Sequence, residues 1–275
     1  MAEEEMKKNI DDGEINAEKE NTYAGEGNAI DAEKAGGIDS VKENVDVGEV
    51  IPKEKPEQDN DKYEILVRNL SLDIKKNHIL HDISLSVEKG EAVGLVGQNG
   101  CGKTVLMKCI LGWFPVFKGE IFVQGKKVPS EEEFPHDVGF IIETPGFIPG
   151  MSGYDNLSML YSLRHKEDKE RINEAIEKVG LKDVKNRKVR TYSLGMRQRL
   201  GLAQALMEDP GIYILDEPFN GIDREGAAEI RKLLIDEKDK GKTILLSSHN
   251  DKDISAICDR MIELDAGKII KETGL

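Results

Sequence analysis

The chain has 275 residues, a formal net charge of −14 and an apolar share of 38%, enough for a globular core only once a polar segment is set aside. That segment is residues 1–60, which hold 18 Asp and Glu against 7 Lys for a net of −11, whereas 61–275 carry 35 acids against 32 bases. No stretch approaches the roughly 18 apolar residues of a spanning helix, MAEEE at the start resembles no secretory signal, and three cysteines without a C-x-x-C argue against a disulfide framework or a zinc site. The expectation is a reduced, cytosolic chain that crosses no membrane itself.

Residues 1–60 contain no Leu, Phe or Trp and one Tyr, too little apolar surface to offset the entropy of ordering. We read 1–61 as an acidic disordered tail, either a solvated spacer or a partner-binding arm, and 62–275 as one domain. Strand signals follow at Ile65 to Leu70, Ile79 to Val87 and Ala92 to Val96. The last delivers GQNGCGKT, Gly97 to Thr104, which fits G-x-x-x-x-G-K-[ST] and opens a helix near Lys103. Here Gly97, Gln98, Asn99, Gly100, Cys101 and Gly102 are read as a phosphate cradle. The glycines turn the backbone so that N–H groups point inward, and the helix adds its positive dipole end. Lys103 is expected to reach the β- and γ-phosphates and the Thr104 hydroxyl to ligate Mg²⁺. Kinases and GTPases share this loop, so alone it names a ligand and no function.

Further strand signals lie at Ile121 to Val123 and Val138 to Ile142. Tyr154 to Arg164, Lys169 to Val179 and Arg197 to Met207 carry apolar stripes at helical spacing, an inserted helical subdomain over about 144–207. Ile212 to Leu215 is a buried strand ending in Asp216-Glu217-Pro218. Two adjacent carboxylates there suit a metal ligand, Asp216, and a base, Glu217, that polarises water against a γ-phosphate. A helix at Asp223 to Lys240, a strand at Thr243 to Ser247 and a helix at Asp251 to Cys258 complete an alternation typical of an α/β parallel sheet. Active residues then fall at the carboxyl ends of strands.

The phosphate loop, YSLGMRQR at Tyr192 to Arg199, the DEP strand and SSH at Ser247 to His249 together resemble the nucleotide-binding subunit of ABC transporters, over about Lys62 to Leu275. The resemblance implies an ABC-type P-loop cassette with a mixed, largely parallel sheet core, an antiparallel β portion and an inserted helical subdomain. It implies ATP and Mg²⁺ as ligands and a second cassette, identical or not, because the signature residues Ser193, Leu194 and Gly195 close over nucleotide held by another chain. Asp223 matches the loop at that seam, and His249 the switch histidine that contacts the γ-phosphate.

Two departures stand out. Glu143 occupies the position where most of the family has Gln, and with TPGFIPGMSGYDNL after it resembles the bacitracin and lantibiotic type of ABC ATPase; a carboxylate there would add charge beside Mg²⁺. Ile74 falls where an aromatic ring usually stacks on adenine, leaving an apolar contact in place of stacking worth about 1–3 kcal/mol. The function implied is an ATPase powering export of a peptide antibiotic or other amphipathic compound. The partner implied is a membrane permease at the cytoplasmic face, with the chain peripheral to it, and no nucleic acid is expected. The alternative is an ABC ATPase of a machine without a membrane partner; a small-molecule kinase leaves YSLGM and SSH unexplained. Phe147, Ile148 and Met151 are expected either to form a partly exposed apolar patch that receives the membrane subunit or to tuck under the helical subdomain.

Deleting Met1 to Asp59 is expected to leave both the melting temperature and ATP affinity unchanged. A fall of several degrees in a thermal scan would place the tail against the cassette.

Overall fold

The computed structural model describes residues 62–75, 77–114, 118–128, 135–166 and 168–275. The expected acidic tail lies outside the described residues. Four antiparallel strands, β1 (Tyr63–Ile74), β2 (Asn77–Glu88), β4 (Lys118–Val123) and β5 (Lys126–Val128), form one sheet in the order β2-β1-β4-β5. Six strands form the second, in the order β10-β9-β3-β8-β7-β6. They are β3 (Ala92–Val96), β6 (Val138–Ile141), β7 (Ile212–Asp216), β8 (Thr243–Ser247), β9 (Arg260–Asp265) and β10 (Lys268–Gly274). All neighbours are parallel except β9 with β10.

The central strands read as continuous apolar runs because both of their faces are covered. Along β7, Ile212 and Ile214 join one buried cluster while Tyr213 and Leu215 join the other. Strand β8 divides likewise, Leu245 to one side and Ile244 with Leu246 to the other. The first cluster is closed by β1, β2 and α1 (Lys103–Ile110), through Ile65, Leu80, Leu106 and Ile110. The second packs against α2 (Gly153–Ser162), α3 (Lys169–Lys178), α4 (Leu194–Leu206), α5 (Arg224–Asp239) and α6 (Asp251–Ile257).

Helices α2, α3 and α4 all lie between β6 and β7 in the chain, where helical stripes were expected, with ends shifted by a few residues as helix termini generally are. The start of α2 is set by Ser152, whose Oγ accepts from Asp155 N at 3.0 Å, a local cap that stops the extended chain. The coarse reading ends at Cys258 and so omits β9 and β10; it also omits β5. Strand β5 reads Lys-Lys-Val with only Val128 buried, and β10 is an exposed edge without a buried residue, so neither carries the apolar alternation that marks a strand in sequence.

Close packing of α4 on β6 depends on Gly139, where a Cβ would lie 2.2 Å from the carbonyl oxygen of Ala205. Gly139→Ala therefore has to push backbone from backbone. The expected cost is about 1–3 kcal/mol, which in a chain of this size lowers the melting temperature by about 2–4 °C per kcal/mol. A thermal scan with an unchanged midpoint would show that α4 is free to move off the strand.

Candidate nucleotide site

The carboxyl ends of β3, β7 and β8 bring together three chain segments that are more than a hundred residues apart at the extremes. Strand β3 leads into the phosphate loop, where Gly97, Gly100 and Gly102 take φ of 141°, 83° and 113°. That backbone is open to glycine alone at low cost. At Gly97 the constraint is doubled, since a Cβ there would sit 2.1 Å from Leu264 O. Helices α2 to α6 each have an N-terminal side-chain cap, from Ser152, Asp168, Ser193, Asp223 and Asn250, whereas α1 starts at Gly102 with none and has no acid in its first turn. Its leading N–H groups and dipole are left for an anion.

Lys103 is 94% buried, being 6% exposed, and its Nζ donates to the carbonyls of Gly97 at 2.7 Å and Gln98 at 3.2 Å. The ammonium thus lies inside its own loop. Cys101, also buried, has its sulfur 3.9 Å from Nζ and fills the space under Gly97. Burial pushes the thiols of Cys109 and Cys258 up to about 12, so both are inert small apolar residues.

Thr104 Oγ1 donates to Asp216 Oδ2 at 2.7 Å, and Ser247 Oγ donates to Asp216 Oδ1 at 2.6 Å. Asp216 is 4% exposed, so each oxygen keeps a hydroxyl in place of lost water. The two hard oxygens of Thr104 and Asp216 form a donor set that fits Mg²⁺. Glu217, next along, sits at φ 48°, a conformation costly for a side chain with a Cβ. Its N–H donates to Ser247 Oγ at 2.9 Å, and its carbonyl accepts from Gln198 Nε2 at 3.2 Å. These contacts hold the turn that swings the Glu217 carboxylate toward His249, whose Nδ1 is 2.8 Å from Oε2. Ser247 and Gln198 had no assigned role in the sequence; the only signal was a serine closing a buried strand and a glutamine on the signature helix.

The signature residues lie in a separate cleft. Ser193 caps α4, its Oγ accepting from Met196 N at 3.2 Å. Leu194 is 45% exposed, and Gly195 is packed so that a Cβ would lie 2.6 Å from Gly221 O. Asp223 caps α5 beside them, accepting from Gly226 N at 2.9 Å. Ser193, Gly195 and Asp223 line a cleft of about 610 Å³, whereas Gly97, Gln98 and His249 line another of about 730 Å³, and no residue lines both. Asn99 and Gly100 stay exposed at the tip of the phosphate loop.

Two expected residues stand differently. Glu143 adopts φ 57° and its Oε1 is 2.6 Å from Lys108 Nζ on α1, with the carboxylate 64% exposed. Its partner in the structure is therefore a cation of the phosphate-loop helix. Ile74 closes β1 opposite Asn77 and packs, half-buried, on the first cluster. Of the apolar trio after Glu143, Ile148 is 44% exposed, while Phe147 and Met151 are half-buried, Phe147 against the helical core. An exposed ring, Trp113, stands edge-on to Phe140 of β6 at 5.3 Å.

No helix among the described residues is long and apolar enough to cross a membrane. The ABC transporter family model matches residues 80–220. The bacitracin transport ATP-binding protein BcrA of Enterococcus faecalis is 38% identical over 215 residues, 78% of this chain and 70% of its own length. The lantibiotic transport ATP-binding protein SrtF of Streptococcus pyogenes is 34% identical over 206 residues, 75% and 89% of the two chains. A solved ATP-binding subunit of an ABC transporter superposes with a TM-score of 0.71 at 26% identity, covering 77% of this chain and 90% of that one. Since the matched region runs from before the phosphate loop to beyond the carboxylate pair, and the fold around both is shared, the chain belongs to the ABC transporter family as one of its ATP-binding members.

Proposed function

We propose that this chain is the Mg²⁺-dependent ATPase subunit of an exporter, driving a peptide antibiotic or other amphipathic compound through a separate membrane chain. The observation that carries the reading is the contact set around Asp216 and Glu217, which fits a phosphate cradle to a metal ligand and a base in one corner. The N–H groups of Gly100 to Thr104 and the Lys103 ammonium hold the triphosphate. Thr104 and Asp216 are the residues that would hold Mg²⁺, whose chemistry is to neutralise charge on the phosphate oxygens. Glu217 accepts a proton from the attacking water, and His249, paired with it, is oriented toward the γ-phosphate. Ile74 offers adenine an apolar surface, so base selectivity is weaker than stacking would give.

Separation of the Ser193 and Gly97 clefts supports a head-to-tail dimer, in which the signature of one cassette completes the nucleotide site of another. The likeness to bacitracin and lantibiotic transport proteins supports the cargo class. The absence of a spanning helix among the described residues supports a partner permease, with this chain at the cytoplasmic face. Exposed Ile148, after Glu143 in the chain, and exposed Trp113, packed on Phe140 of β6, support docking of that permease near the Glu143–Lys108 pair. Phe147 and Met151 then act as the supports of that surface.

Glu217→Gln keeps the shape of the turn but removes the base. Hydrolysis is expected to slow by about 10²–10⁴ with ATP binding intact, as read by phosphate release and nucleotide titration; a parent-like rate would remove Glu217 from its role. Ser247→Ala removes the hydroxyl donor of Asp216 Oδ1, while the Glu217 N–H keeps the residue-247 carbonyl at 3.2 Å, and is expected to cost about 1–3 kcal/mol of stability. An unshifted thermal midpoint would show that Asp216 does not depend on that hydroxyl.

A further inference from the structure

His249 is itself 71% exposed in its side chain, yet the residues on either side of it are fixed. Ser248 is 2% exposed and its Oγ donates to Asp253 Oδ2 at 3.4 Å, while accepting from Asn250 N at 3.1 Å. Asn250 caps α6, its Oδ1 accepting from Lys252 N at 3.1 Å. Asp253, in the first turn of α6, is 2% exposed. Its partner is Arg231 of α5, whose Nε donates to Asp253 Oδ1 at 2.7 Å, and a carboxylate so buried is costly without such a contact. Helix α5 begins with the Asp223 cap in the signature cleft.

We propose that Asp253 and Arg231 are positioning residues for hydrolysis: the pair ties α5, and with it the Asp223 loop, to the Ser248 hydroxyl, which holds the Asn250 N–H directly after His249. The proposal rests on the reading that His249 and Glu217 act in ATP turnover, and deepens it by naming what sets the histidine's place. Movement of the Asp223 loop at the closing dimer seam is carried along one rigid helix to an ion pair, and from the ion pair to the switch histidine. Neither residue touches nucleotide. Both act through His249, so they affect the turnover step and leave the phosphate cradle unchanged.

The test is steady-state ATPase kinetics on the full chain. Asp253→Asn and Arg231→Met are each expected to lower kcat about tenfold with KM for ATP within about twofold, a loss of turnover without a loss of binding. Arg231→Lys, which keeps the charge, is expected to restore most of the rate. Because either change can destabilise a buried ion pair, the thermal midpoint of each variant is read beside its kinetics, and the rate regained by Arg231→Lys separates loss of positioning from loss of fold. In a His249→Ala background neither substitution is expected to lower kcat further, since the effect passes through the histidine. Equal losses in both backgrounds, or unchanged kcat in Arg231→Met, would overturn the relay while leaving the ATPase reading intact. A parent chain without ATPase activity would overturn both.

Discussion

A carboxylate with almost no access to water is the constraint around which the site is built. Asp216 closes the fully buried strand β7, and its two oxygens are taken by hydroxyls from different elements, Thr104 at the head of α1 and Ser247 at the end of β8. A buried charge without such donors is costly. The phosphate loop, the carboxylate strand and the switch strand must therefore meet at one place, and the parallel pairing of β3, β8 and β7 provides the register that lets them. A change at any of the three reaches the other two.

The neighbouring Glu217 shows how such a site holds strain. Its left-handed backbone is disfavoured locally and persists because the Ser247 hydroxyl and carbonyl and the Gln198 amide fix its peptide groups. Gln198 belongs to α4, so the turn that carries the Glu217 carboxylate is held in part by the helices between β6 and β7. This gives a physical route by which the position of α4, pressed on β6 at Gly139, bears on the chemistry at the sheet. Glu143, at the other edge, is paired with Lys108 of α1, and because the Glu143 carboxylate is largely exposed the pair adds little to stability.

Much of this was legible from residues alone. The phosphate loop, the DEP strand and the central apolar runs are local signals: glycines at forced backbone positions, adjacent acids after a buried run, and strands covered on both faces. Apart from β5, strand and helix positions from Ala92 to Cys258 follow from those signals because the period of burial is written into neighbouring residues. The edge strands β5 and β10 were not legible, since a strand held by backbone pairing at a solvent-facing edge needs no apolar pattern.

What only the tertiary structure decided is partnership. Sequence determined that Thr104, Asp216, Glu217 and His249 are the right kinds of group for nucleotide chemistry. It could not determine that Ser247 serves Asp216 and Glu217 together, that Gln198 holds the Glu217 carbonyl, that Glu143 faces Lys108, or that Asp253 is anchored by Arg231. Nor could it divide the apolar trio after Glu143 into exposed Ile148 and half-buried Phe147 and Met151. Hydrogen bonds and ion pairs are short-ranged and directional, so their partners are chosen by which strand ends and helix faces the folded sheet brings within reach, and no spacing along the chain records that choice.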